Sequence, residues 1–217
     1  MQTLLNEKQQ SIISIAAFTA TGDMNDLNAA LHDGLNTRLT ISEIKEILVQ
    51  MYAYAGFPRS LNALAAFMKV TEERHQQGIR DEIGIPATPL PEKWNSLESG
   101  YHNQTRLVGH PVSGALFEFA PAIDQFLKAH LFGDIFQRDI LSWQTRELAT
   151  ISALAAMPGV NSQLESHYAI SLNNGFTVEQ LKDFTDILSA NCGATIAGNA
   201  REVLNQLLAK RNSECLQ

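Results

Sequence analysis

"RELATISALAAMPGVNSQLESH", residues 146–167, reads as two helices folded about a Pro158-Gly159 break. Leu148, Ile151, Leu154 and Ala155 recur at helical spacing before the break, and the proline and glycine stop the pattern. Beyond it, Ser162 and Glu165 have the S-x-x-E spacing of a capping box, so a second helix is expected from Ser162 to the Asn173-Asn174-Gly175 signal. Thr177 and Gln180 have similar spacing and open a third helix, with Leu181, Phe184 and Leu188 on one stripe and Gly193 at its end. A closing helix then runs to about Lys210. No stretch shows sustained period-two alternation, so the expected class is all-α.

The same pattern occurs earlier in the chain. Leu5 falls on Leu141, Ile15 on Ile151, Ala17 on Ala153 and Asn25 on Asn161; one residue then slips. After the slip Leu27 falls on Leu164, Thr40 on Thr177, Lys45 on Lys182, Gly56 on Gly193, and Asn62-Ala63 on Asn199-Ala200. The chain reads as an internal duplication. In the first copy Thr40 and Glu43 form the cap, Ile44, Ile47, Leu48 and Met51 the stripe, and Gly56-Phe57-Pro58 the break. The expected organisation is an N-terminal helical repeat over 1–83, a connector over 84–120 and a C-terminal repeat over 121–217. Residues 84–114 hold four of the seven prolines, which marks the connector. Trp94, Tyr101, Leu107 and Val108 give it apolar surface with which to lie against the helices.

At 217 residues, 45% hydrophobic and 18% charged, the chain can bury a continuous core. Its net charge of -7, without a run of five like charges, argues against a nucleic-acid footprint and against binding anionic membranes. Apolar stretches such as "ELATISALAAM" stop well short of the roughly 20 residues of a membrane span, and no targeting signal is read, so the expected location is cytoplasmic. Cys192 and Cys215 form neither a C-x-x-C nor a zinc spacing and read as packed or idle thiols. The six histidines show no ligand spacing, so no metal site is expected.

Glu147 and His167 stand out from this core. Glu147 precedes the break by roughly 16 Å of helix, and His167 follows it by roughly 10 Å, at about 1.5 Å per residue. Antiparallel packing at about 8–10 Å between axes brings the two side chains to nearly the same height. A carboxylate at a partly dry boundary beside an imidazole is the arrangement of a proton relay. The other copy has Ser11 and Ala30 at these positions but carries "YAYAGFPRSLNA" (52–63), with Tyr52, Tyr54, Phe57 and Arg59, where the second has "SANCGATIAGNA". Either one site is split between the halves, or unused features have decayed in each.

These segments resemble a known family. "RELATISALAAMPGVNSQLESHYAISLNNGFTVEQL" (146–181) is similar to the helical core of the carboxymuconolactone decarboxylase family, related to alkylhydroperoxidase D. "YAYAGFPRSLNAL" (52–64) resembles that family's Y-A-G-x-P-x-x-x-N-A segment, and "FGDIFQRDILSWQTRELATI" (132–151) the lead-in of its tandem-repeat members. The resemblance implies a duplicated all-α fold of the alkylhydroperoxidase D-like type, with doubled chains assembling as trimers. It also implies two chemistries. The peroxidase branch uses a glutamate, C-x-x-C and a histidine; here Glu147 and His167 flank Val160 and Gln163, which supply no thiolate. The decarboxylase branch works without cofactor on a small carboxylated lactone. In that reading the protein is a lyase, His167 is the proton donor and Glu147 orients it, while Arg146, Tyr54 and Arg59 contact substrate. The expected partners are a small-molecule substrate and further copies of the chain. A non-catalytic small-molecule binder that keeps the family core is the alternative from a different class.

Overall fold

The computed structural model describes residues 4–214, so the reading of Cys215 lies outside the described residues. Eleven α-helices and one π-helix form the described chain, and no strand occurs among the described residues. The first repeat comprises α1 (Glu7–Thr21), α2 (Met24–Asn36), α3 (Ile41–Ala55) and α4 (Phe57–Gln76). The second comprises α8 (Trp143–Ala156), α9 (Asn161–Asn173), α10 (Val178–Asn191) and α11 (Ala194–Glu214). Between them lie α5 (Ser96–Val108), α6 (Ala115–Phe119), α7 (Pro121–Phe126) and the π-helix (Leu127–Ile135). No helix of the described residues is long and apolar enough to cross a membrane.

The duplication extends to the ends of the helices. Thr40 with Glu43 and Thr177 with Gln180 each close a full capping box, so α3 and α10 start at matched positions. Gly56 and Gly193, both at positive φ, follow their last turns. One expected cap is absent: α9 starts after Val160 with no side-chain cap. There Ser162 Oγ donates to Gln163 Oε1, and Glu165 pairs with Lys210. Competing side-chain partners, not spacing, decide the start of that helix.

α1 and α8 are buried on every side over Ser11–Ala17 and Arg146–Ala155, as interior helices are. They pack against each other at the centre, and every residue of α8 from Arg146 to Ala155 is buried. The third helix of each repeat reaches across to the other repeat's first: α3 packs on α8, and α10 on α1. The core is therefore shared, with Leu27, Leu31 and Ile47 from one half and Leu164, Leu181 and Phe184 from the other in one cluster. This crossing brings first-repeat side chains beside α8 and α9.

The connector contributes more than cover. α5 packs on the π-helix so closely that a Cβ on Gly100 would strike the Lys128 carbonyl, and one on Gly133 the Ser96 carbonyl. Asn103 Nδ2 donates to the Phe132 carbonyl at 2.8 Å across the same contact. Leu107 joins Leu131, Phe132, Ile135, Phe136 and Ile170 in a second, smaller core. Of the aromatic residues expected to anchor the connector, Trp94 is half-buried and Tyr101 is 40% exposed.

Candidate active site

Gly159, at φ 80°, turns the chain back between α8 and α9. The buried face of α9 carries Leu164, His167, Tyr168 and Ser171, which places the imidazole toward α8. His167 Nδ1 lies 2.8 Å from Glu147 Oε2. Glu147 is fully buried, and its other oxygen, Oε1, has no hydrogen-bond partner. Nδ1 is thus committed to the acid, which leaves Nε2 as the ring nitrogen available to another molecule.

His167 lines a cavity of about 710 Å³. α9 contributes Gln163, Ser166, Ile170 and Asn173 to it, α3 contributes Tyr54, and α5 contributes Gln104 and Val108. Leu116 and Phe117 of α6, with Leu127, Leu131 and Phe132 of the π-helix, form an apolar wall. A π-helical segment here agrees with the tendency of such irregular turns to occur at functional sites. Tyr54 meets His167 edge-on, ring centres 5.8 Å apart. Its hydroxyl is buried beside Thr150, and burial, reinforced by the charge of Glu147 and only partly opposed by Thr150 and Arg146, pushes its pKa far above the usual phenol value. The group remains a protonated hydrogen-bond donor.

Arg146 and Arg59 do not line this cavity. Arg146 is fully buried between the repeats, where Nη2 donates to Glu46 Oε1 at 2.7 Å and to the Arg138 carbonyl at 2.7 Å, and Nη1 donates to Gln50 Oε1 at 2.9 Å. Gln50 in turn donates to the Arg146 carbonyl and to Thr150 Oγ1. Burial pulls the Arg146 guanidinium down from its ordinary value, against the opposing pull of Glu46. Arg59 lies across Gly22 and lines a neighbouring cavity of about 450 Å³; Tyr54 and Val160 border both spaces.

The duplicated fold creates a pseudo-equivalent place, where Ser11, Ala30 and Asn191 stand for Glu147, His167 and Tyr54. It too is a cavity, of about 560 Å³, with Ser11 Oγ 2.9 Å from Thr37 Oγ1 and Asn191 Nδ2 donating to Ser14 Oγ at 3.1 Å. No acid meets an imidazole there. The pair and the tyrosine that faces it come from opposite repeats and meet in only one of the two places.

Val160 and Gln163 occupy the positions where the peroxidase branch has cysteines. Cys192 sits at the end of α10, half-buried, with its thiol pushed up to about 11 by burial and by Asp26, so it is a poor nucleophile. Among the described residues no cluster of His, Cys, Asp and Glu gathers that could hold a metal ion. The sequence reading missed Glu46 and Gln50, which hold Arg146, and Gln104, which lines the cavity. Gln104 shares the buried face of α5 with Gly100 and Leu107, a face that only the packed structure reveals.

A search of curated proteins finds no match to this chain. The family profile described as "Carboxymuconolactone decarboxylase family" matches residues 2–69 and 121–206, one segment in each repeat. The first segment spans α1 to α3 and most of α4; the second runs from α7 through the π-helix into α11 and contains the Glu147–His167 contact. The chain belongs to the carboxymuconolactone decarboxylase family.

Proposed function

We propose that this family member is a proton-transfer enzyme of the lyase or isomerase kind, acting on a small carbonyl-containing metabolite bound beside His167. The observation that carries this reading is the 2.8 Å contact of a buried carboxylate with an imidazole whose ring borders a cavity. His167 Nε2 takes a proton from the carbon next to the carbonyl, and the electron pair moves onto the carbonyl oxygen. The Tyr54 hydroxyl donates to that oxygen, and the imidazolium returns its proton to carbon. On a carboxylated substrate the carbon–carbon bond to the carboxylate breaks instead. That branch starts from His167 as the imidazolium paired with Glu147: carbon dioxide leaves, the imidazolium protonates the resulting enolate, and the neutral ring takes a proton back from solvent. Glu147 positions the ring and stabilises its charged form without touching the substrate.

The expected trimer belongs to the same proposal. Phe57, Leu61 and Met68 of α4 are all more than half exposed and offer apolar surface to another copy. A reducing, cytoplasmic setting fits the free thiol of Cys192.

The test is proton exchange in deuterium oxide, followed by NMR on small ketones, lactones and β-keto acids. Deuterium incorporation next to the carbonyl, or loss of carbon dioxide, is expected with the native chain and is abolished in His167→Ala, with helix content and assembly unchanged. Equal rates in that variant, or no reaction on any of these compounds, would reject the reading and leave a binding protein.

A further inference from the structure

We infer that the cavity takes an uncharged, mostly apolar carbonyl compound carrying a hydroxyl, with Gln104 as its anchor. The inference rests on the proton-transfer reading and narrows it to neutral substrates. Gln104 is 3% exposed and lines the cavity, yet its Oε1 has no hydrogen-bond partner. A buried amide left so is costly unless something else satisfies it, and a hydroxyl does so whichever way the amide is turned. Tyr54, whose hydroxyl lies beside Thr150, presents a donor on the same lining. The two define a hydroxyl site and a carbonyl site.

The remaining lining sets the body of the ligand. None of the described residues around the cavity is Lys, Arg, Asp or Glu, and Leu116, Leu127, Leu131 and Phe132 form one side. The two cations nearest in sequence to the site residues are engaged elsewhere, Arg146 with Glu46 and Arg59 over Gly22. The imidazoles on the lining are His110 and His167, and His167 is already paired with Glu147, so a substrate carboxylate entering this space would lose its hydration and gain no lysine or arginine partner. A neutral chain or ring gains the burial of its apolar surface instead.

Isothermal titration of the full chain with 2-nonanone, 1-hydroxy-2-nonanone and 8-oxononanoate tests this. Both neutral compounds are expected to bind saturably, and the acid about a hundredfold more weakly, through its uncompensated desolvation. The hydroxyketone is expected to bind about fivefold more tightly than the ketone through one added hydrogen bond. Gln104→Leu erases that preference and leaves 2-nonanone binding unchanged or stronger; Gln104→Met, closer in shape, replaces it if the first variant does not fold. Equal or tighter binding of the acid, no saturable binding of either neutral compound, or a hydroxyl preference that survives loss of the amide each overturns the inference. The comparison of the three probes needs no variant. Tight binding of the neutral compounds without proton exchange supports the ligand class and counts against the proton-transfer reading alone.

Discussion

Tyr54 of the first repeat stands edge-on to His167 of the second, ring centres 5.8 Å apart and planes at 80°. Its hydroxyl lies beside Thr150 but makes no well-formed hydrogen bond. Thr150 Oγ1 also accepts from Gln50 Nε2, so removing the tyrosine hydroxyl leaves no donor or acceptor stranded. Tyr54→Phe is therefore expected to unfold within about 0.5 kcal/mol of the native chain. If the hydroxyl meets the developing oxyanion, the same variant loses about a hundredfold in kcat. Urea midpoints and exchange rates on one preparation separate the two effects, and an unchanged rate removes Tyr54 from the mechanism.

Glu147→Gln keeps an amide oxygen near His167 Nδ1 but removes the negative charge that stabilises the imidazolium. The expected result is a fall in kcat of about 10²- to 10⁴-fold, with KM nearly unchanged, since Glu147 does not touch substrate. A KM effect of similar size would show that the residue contacts substrate directly.

Glu46 holds Arg138 and Arg146 together, and the second of these is fully buried. Burial alone would raise its carboxyl pKa, but hydrogen bonds and charge from both arginines outweigh that and hold it below the ordinary value of 4.5. A carboxyl lowered in the folded state stabilises the fold above its unfolded value, and the contribution disappears as pH falls through the folded one. Glu46→Gln strands the Arg146 charge and is expected to cost about 3–5 kcal/mol near neutral pH. The gap to the native chain narrows well below pH 4.5, the value from which this carboxyl is displaced. Urea denaturation at neutral and acid pH checks it; a gap independent of pH would mean that the ion pair is not its source.

Gly100 and Gly133 let α5 and the π-helix meet backbone to backbone. Gly100→Ala forces these elements apart at the cavity's apolar wall, and the expected loss is about 1–3 kcal/mol, as for other overpacking substitutions. Faster hydrogen exchange of amides in α5 and 127–135, with α1 and α8 still protected, is the expected signature.

Much of the fold was legible in the chain. The matched pairs Thr40/Thr177 and Gly56/Gly193 announced the duplication, because caps and breaks depend on local chemistry at fixed spacing. The meeting of Glu147 with His167 followed from helix rise and a turn, which are also local. Ser162 and Glu165 show the limit of that reasoning: their spacing was right, but Gln163 and Lys210 took the side chains.

What depends on non-local packing was not legible. Arg146 sits beside Glu147 in the chain, yet its partners Glu46 and Gln50 lie on α3, and only the crossing of the two repeats puts them within reach. Gln104 reaches the cavity because a pair of glycines lets the connector dock on the π-helix, and nothing within α5 specifies that contact. The order of residues determined the helices, their ends and the hairpin that joins acid to imidazole, since those arise from interactions a few positions apart. Which charges are buried, which hydroxyls remain unpaired and what surrounds the imidazole were decided by the tertiary structure, because burial is a property of surfaces that meet only after folding.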